Sequence, residues 1–437
     1  MITENKLKIY TAKDIDKIPH LNILSDQQKF EIKVVAKVLP FRTNNYVVEE
    51  LVDWTKVPDD PIFQLTFLQK KMLDNYQFEQ LAEGMNTEAP KEELNPHPAG
   101  QMTVNVPFLD EVPVRGIQHK YKETVLVFPT GGQTCHAYCT FCFRWAQFIG
   151  DNDLKFATDE SKKFQDYIIK HKEITDVLFT GGDPMVMSYK KLKAYLDPFL
   201  EPQFEHIKNI RIGTKSLSYW PYRFVTDKDS DLIIELFDKI MSSGKHLAIM
   251  AHFSHPAELK TKIVKSAIRR LRKIGVKIRT QSPVIRHVND NSQTWANMWQ
   301  QQVNLGLIPY YMFVERNTGA KEYFEIPLYQ VFEIYKNAFK RVSGLNRTAR
   351  GPVMSATPGK VAIDGITNIS GEKVFVLSLL QARNPEWVKQ PFFAKYNENA
   401  TWFNDLEPAF GKDKFFFEDE LNIMLNKKEK MFEKLAG

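Results

Sequence analysis

From Thr124 to Val314 the chain alternates short apolar runs with amphipathic stretches, and this alternation most narrows what it can fold into. The strand candidates are Thr124–Pro129, Asp176–Phe179, Asn209–Gly213, His246–His252, Lys277–Ser282 and Ile308–Val314. Between them, Glu160–Lys170, Tyr189–Leu200, Ser230–Ser243, Ile263–Ile274 and Thr294–Leu305 carry apolar residues at i, i+3 and i+4, with lysines and arginines left for solvated faces. Strand–helix units in this order make a parallel sheet with right-handed crossovers. With 437 residues, 43% of them hydrophobic, the chain can bury one large core or two moderate ones. Length alone admits either a doubly wound sheet or a barrel.

Directly after the first strand candidate comes Cys135-His136-Ala137-Tyr138-Cys139-Thr140-Phe141-Cys142-Phe143-Arg144. It holds all 3 cysteines of the chain in one C-x3-C-x2-C run. Thiolates at this spacing can each bind a different iron of a 4Fe–4S cluster. No fourth cysteine exists, so one iron is left open for a non-protein ligand, as in catalytic metal sites. Zinc would want a fourth ligand, and His136 is too close to Cys135 to serve easily. Disulfides would leave one thiol over.

Other residues gather at strand ends, each with a bland alternative. Gly181-Gly182-Asp183-Pro184 follows the second strand; paired glycines allow close backbone approach to a ligand, but also make ordinary turns. Lys215 lies past the third strand, His252 ends the fourth and Gln281 the fifth. Each could face a ligand, or be a solvated lysine or a satisfied polar group. Arg144 has the planar fork that suits a carboxylate, or it forms a salt bridge. Asp290, in Arg286-His287-Val288-Asn289-Asp290, could contact substrate or cap a turn. In Thr357-Pro358-Gly359-Lys360 a turn precedes a lysine, and taken alone that is unremarkable.

The cysteine run with an aromatic before its last cysteine resembles the radical S-adenosylmethionine (SAM) superfamily. With Arg144 and the segments above, in that order, it is similar more narrowly to the lysine 2,3-aminomutase family, from about Pro40 to about Lys360. The resemblance implies a partial (β/α)6 barrel with an N-terminal helical extension and a C-terminal α+β extension, chemistry lying at the carboxyl ends of the strands. It implies a 4Fe–4S cluster on Cys135, Cys139 and Cys142, whose open iron binds SAM and cleaves it to a 5′-deoxyadenosyl radical. Gly181, Gly182, Asp183, Lys215, His252 and Gln281 would lie around SAM. Arg144 would hold the α-carboxylate of an amino acid substrate and Asp290 its distal amine. Lys360 would hold pyridoxal 5′-phosphate (PLP) as a Schiff base, because a desolvated lysine has the lowered pKa that an imine needs. The implied reaction moves an α-amino group to the β carbon. A flavodoxin or ferredoxin would serve as reductant, and a homo-oligomer is open.

The chain also departs from the family. Val353-Met354-Ser355-Ala356 lacks the family's second distal-amine aspartate. Thr124 stands for an arginine used on the PLP phosphate, leaving backbone N–H groups, Arg347 or Arg350 as substitutes. The glycine run before the lysine is cut to Gly359, and no cysteine remains for a structural zinc. Two other readings follow: a radical SAM enzyme without PLP, and a non-catalytic Fe–S sensor or scaffold. The expected division is 1–100, mostly helical; 101–350, the barrel; and 351–437, a C-terminal region bearing Lys360. A net charge of +6 with no basic stripe argues against nucleic acid. No apolar run approaches a membrane span, Met1 to Lys17 has no signal-peptide pattern, and clustered reduced cysteines fit the cytoplasm. Ser25–Val38 reads as a helix capped by Ser25, Tyr46–Asp53 as a shorter one, and Asn95–Gly100 as a Pro-rich connector.

Overall fold

The computed structural model describes residues 5–84, 103–149, 157 and 161–436. The Asn95–Gly100 connector, the boundary at 100/101 and Glu160 lie outside the described residues. One sheet runs through most of the rest. Its strands are β1 (Ile117–Tyr121), β2 (Thr124–Val127), β3 (Asp176–Phe179), β4 (Asn209–Thr214), β5 (His246–His252), β6 (Lys277–Val284), β7 (Ile308–Val314), β8 (Arg350–Ser355), β9 (Gly359–Ile369), β10 (Glu372–Ala382) and β11 (Phe392–Lys395). They are hydrogen-bonded in sequence order. β2 to β8 are parallel, while β1 and β9 to β11 run antiparallel to their neighbours.

The six expected strands are all present. Parallel pairing continues one strand further, into β8, after the helix Leu328–Lys340. The expected division at 350/351 therefore falls inside a strand, and one hydrophobic core runs from Val114 to Leu421 across it. The sheet is not closed: β1 and β11 are its edges. It is nonetheless rolled. Lys120 on β1 donates to the carbonyl of Ala356, just past β8, and its neighbour Tyr121 lies under Lys360 of β9.

Local sequence explains the roll's two faces. In β4, Ile210, Ile212 and Thr214 are buried, while Asn209, Arg211 and Gly213 alternate with them and are partly accessible. Parallel strands buried on both faces usually read as continuous apolar runs; here the inner face encloses a polar space. Outside, the helix Lys262–Lys273 buries Ile263, Val264, Ala267, Ile268 and Leu271. Its Thr261 cap accepts from the Val264 N–H at 3.3 Å, and its basic residues take the opposite face. The helix Asp26–Val35 is capped by Ser25, and Tyr46–Asp53 forms a single π turn over Val47–Leu51.

Residues 5–84 build a second apolar cluster that includes Phe63, Phe67 and Tyr46 and takes in Ala137, Phe141 and Trp145 of the cysteine segment. This extension holds that segment by its backbone. The Tyr138 N–H donates to the Arg42 carbonyl at 2.8 Å, and the Thr140 N–H donates to the Leu65 carbonyl at 3.0 Å. Among the described residues no helix is long and apolar enough to cross a membrane.

Candidate active site

The cysteine segment leaves β2 at the carboxyl edge of the parallel strands. Its three thiols are free, partly accessible and close enough to raise one another's pKa. Burial is the larger cause; it pushes Cys139 up to about 11 and Cys142 up to about 12. Coordination to iron removes that penalty, since a metal-bound thiol is deprotonated outright. Among the described residues no three His, Cys, Asp or Glu side chains group as ligands of a single ion. Three thiols on separate irons do not need to. His136 is no ligand candidate. It is buried, its Nδ1 lies 2.9 Å from Ser216 Oγ, and burial pulls its pKa down to about 3.

Gly181 and Gly182 pack against the stretch that leads into Cys135. Gly181 has φ +151°, and a Cβ there would lie 2.5 Å from Gln133 Nε2. A Cβ on Gly182 would lie 2.5 Å from the Thr134 carbonyl oxygen. The pair thus lets the second strand's loop press on the cysteine loop, a structural reason beside any contact with SAM. Asp183 is buried and its carboxylate is filled by protein donors. It accepts from Thr214 Oγ1 at 2.7 Å, the Lys215 N–H at 2.9 Å, Ser216 Oγ at 3.0 Å and the Met185 N–H at 2.9 Å. The Asp183 carboxylate is thus engaged by protein donors. Lys215 Nζ pairs with the buried Glu258, 2.6 Å away.

Inside the roll is a cavity of about 280 Å³. It brings together Arg144, His252, Gln281 and Lys360, four of the residues singled out in the sequence. His252 packs edge-on to Phe141 at 5.6 Å; its Nε2 is buried without a partner, and burial keeps it neutral. Arg144 stacks on Phe128 at 4.2 Å, donates to Gln147 Oε1 and leaves its Nε unpartnered. Burial lowers it to about 9.

Lys360 lies at the start of a strand, opposite Ser355 of β8 and Gln381 of β10, directly after the bend at Thr357-Pro358. Its Nζ donates to Gln381 Oε1 and lies 4.9 Å from the Tyr311 ring centre and 5.2 Å from that of Tyr121. Burial, then the charges of Arg211 and Arg350, lower its pKa to about 7. A substantial share is therefore the free, nucleophilic amine near neutral pH.

Asp290 lies outside this cavity. It is exposed and caps the His287 N–H at 3.1 Å, so no substrate contact is assigned to it. Arg347 also lies away from the cavity, donating to the Val342 carbonyl at 3.0 Å, and Arg350 stacks on Tyr310 and Tyr311. The cavity holds cations that sequence reading passed over: Lys120, Arg211 and Arg316, with Arg383 close by. Arg211 is matched by Asp176 at 2.7 Å. Arg383 donates to Asn105 Oδ1 at 2.7 Å and to the Thr357 carbonyl at 2.8 Å. Glu315 and Arg316 directly follow β7, so the rule that function gathers at strand carboxyl ends could have found them.

Three thiols follow the first parallel strand, and their segment lends Phe141, Phe143 and Arg144 to the cavity inside the rolled sheet, the arrangement of a radical SAM enzyme. No family model matches the chain. A putative L-lysine 2,3-aminomutase of Aquifex aeolicus is 32% identical over 402 residues, 92% of this chain and 95% of its own length. The L-lysine 2,3-aminomutase of Haemophilus influenzae is 29% identical over 66% of this chain and 74% of its own, and that of Escherichia coli is 26% identical over 57% and 69%. A solved radical SAM methyltransferase from Sphaerobacter thermophilus aligns more loosely, with TM-score 0.37 and 12% identity over 54% of this chain and 68% of its own. On its sequence relatives, the chain belongs to the lysine 2,3-aminomutase family.

Proposed function

We propose that this protein is a PLP-dependent radical SAM amino acid 2,3-aminomutase. The observation that carries the proposal is Lys360. Its amine is half-buried, lowered to about 7, and faces the same cavity as Arg144 and the cysteine segment's Phe141 and Phe143. When bound, the cluster and SAM supply the hydrogen-abstracting radical, and PLP supplies the ring that delocalises it. Cys135, Cys139 and Cys142 would hold the cluster. The orphaned Nε2 of His252 and the side chain of Gln281 would meet SAM. Lys360 would attach PLP, with Tyr121 and Tyr311 flanking the amine. Lys120 in the cavity wall and Arg383 close behind it give basic N–H donors suited to the phosphate, whose negative charge would offset the burial that disfavours the Lys120 ammonium, in place of the arginine missing at Thr124. Arg144 would take the substrate α-carboxylate with its planar fork. The electron for SAM cleavage would come from a low-potential protein such as flavodoxin or ferredoxin, and the protein would work in the cytoplasm.

The test is borohydride reduction of the anaerobically reconstituted protein after incubation with PLP, followed by peptide mapping. The label should fall on Lys360. Lys360→Ala should lose the label and all amino-group migration while SAM cleavage persists, and Cys139→Ala should lose SAM cleavage. A label on another lysine, or none, would replace this reading with a radical SAM enzyme that works without PLP.

A further inference from the structure

We infer that the cavity takes an α-amino acid whose side chain ends in a carboxylate, and that Arg316 receives that carboxylate. The inference rests on the aminomutase reading above and adds the substrate class to it.

The charges lining the cavity carry the argument. Lys360 is assigned to PLP and Arg144 to the α-carboxylate. Arg211 already has Asp176. Lys120 faces the Ala356 carbonyl, near Arg383. Arg316 is left over. It lines the cavity with its guanidinium 4.3 Å from the Phe143 ring centre. Among the described residues no carboxylate lies within ion-pairing distance of it. It is near enough to Lys120, Lys360 and Arg144 to lower the pKa of each. Arg316 is therefore held among the groups that would surround a bound amino acid. Burial lowers it to about 10, so it remains cationic at neutral pH.

Carboxylates are correspondingly scarce. Glu315 is the one carboxylate among the lining residues. Its carboxylate is near enough to Arg316 for each to feel the other's charge, yet the two do not come within ion-pairing distance, and its field also reaches the Cys139 and Cys142 thiols. Asp290 lies outside, and Ser355 stands where a second carboxylate was sought. A side-chain ammonium such as that of lysine would meet a guanidinium whose one near carboxylate, Glu315, forms no ion pair with it. A side-chain carboxylate would meet a planar fork already stacked and desolvated, the geometry in which a charge-assisted pair discriminates most.

The experiment uses protein loaded with PLP and needs no turnover. Glutamate, aspartate, alanine and lysine are each titrated, and protection of Lys360 from borohydride labelling is measured. Glutamate or aspartate should half-protect at a concentration about 100-fold below alanine and lysine, the discrimination of one charged hydrogen-bonded pair. Arg316→Gln should bring the acidic-to-alanine preference to within a few-fold, and Arg316→Lys should restore part of it. Circular dichroism checks that each variant is folded. Lysine protecting as well as glutamate, or Arg316→Gln leaving the preference intact, would overturn the assignment. If PLP never attaches to Lys360, the aminomutase reading fails by itself. Calorimetric titration of the same amino acids into wild-type and Arg316→Gln protein then decides the carboxylate preference separately.

Discussion

Lys215 Nζ lies 2.6 Å from Glu258 Oε1, with Lys215 9% exposed and Glu258 fully buried. The pair ties the loop after β4 to the turn after β5. Glu258 also accepts from the backbone N–H groups of Ser254 and His255, so its charge is met on both oxygens. Lys215 is thereby committed to the scaffold behind the cysteine segment, with its ammonium 4.5 Å from the Tyr219 ring centre.

A stability experiment follows. Removing one partner of a buried pair leaves the other charge uncompensated, at a cost of about 3–5 kcal/mol. Lys215→Met should lower the melting temperature clearly, and Lys215→Met/Glu258→Gln should recover much of the loss. If Lys215→Met melts normally and only raises the KM for SAM, the lysine works on SAM instead.

Asn44 links the N-terminal extension to the cluster loop. Its Nδ2 donates to the carbonyls of His136 at 3.1 Å and Tyr219 at 3.0 Å, while its Oδ1 accepts from the Val47 N–H. Asn44→Ala leaves two buried carbonyls without this donor, at about 1–3 kcal/mol each. The expected outcome is less iron and sulfide per chain after anaerobic reconstitution, with a lower melting temperature. Normal iron content would show that the extension does not hold the cluster loop.

Gly182 offers a steric version of the same question. A Cβ there would lie 2.5–2.7 Å from the Thr134 backbone, which cannot yield without moving Cys135. Gly182→Ala should sharply reduce reconstituted cluster content. Gly344→Ala, where a Cβ meets nothing within 4 Å, should stay within about 0.5 kcal/mol of wild type. Equal cluster content in the two variants would contradict the packing argument.

What could be read in advance was local. The alternation in β4 and the Ser25 cap are set by neighbours within one turn or one strand, so strand and helix positions came through to within a few residues. The cysteine segment was legible because its three ligands are contiguous. The cavity's far wall was not. Lys120 meets Ala356 across 236 positions, a contact made by the curl of the sheet and written in no short pattern. The partner of Lys215 was hidden for the same reason: Glu258 lies 43 positions away in a segment that reads as an ordinary turn. Asp290 shows the converse. Its motif matched the family, yet the carboxylate is spent on a local cap.

Lys360 gives a pH dependence whose sign can be worked out. Its ordinary pKa is 10.5, and in the folded protein it is about 7, chiefly through burial and then through Arg211 and Arg350, with Arg316 adding to them and Asp176 opposing. Between those values the unfolded chain binds a proton that the folded chain does not. Stability therefore rises with pH from about 7 to about 10.5, and this contribution is flat below and above that window. Lys360→Met removes the half-buried ammonium and should flatten that part of the curve, by a few kcal/mol on the order-of-magnitude scale of such a shift. Denaturant unfolding at several pH values, compared between wild type and variant, measures it. The same shift governs attachment. The rate at which PLP becomes reducible onto Lys360 should climb through about pH 7, not through the ordinary lysine range. A midpoint near 10 would show that Lys360 sits in water and would remove the feature on which its catalytic role rests.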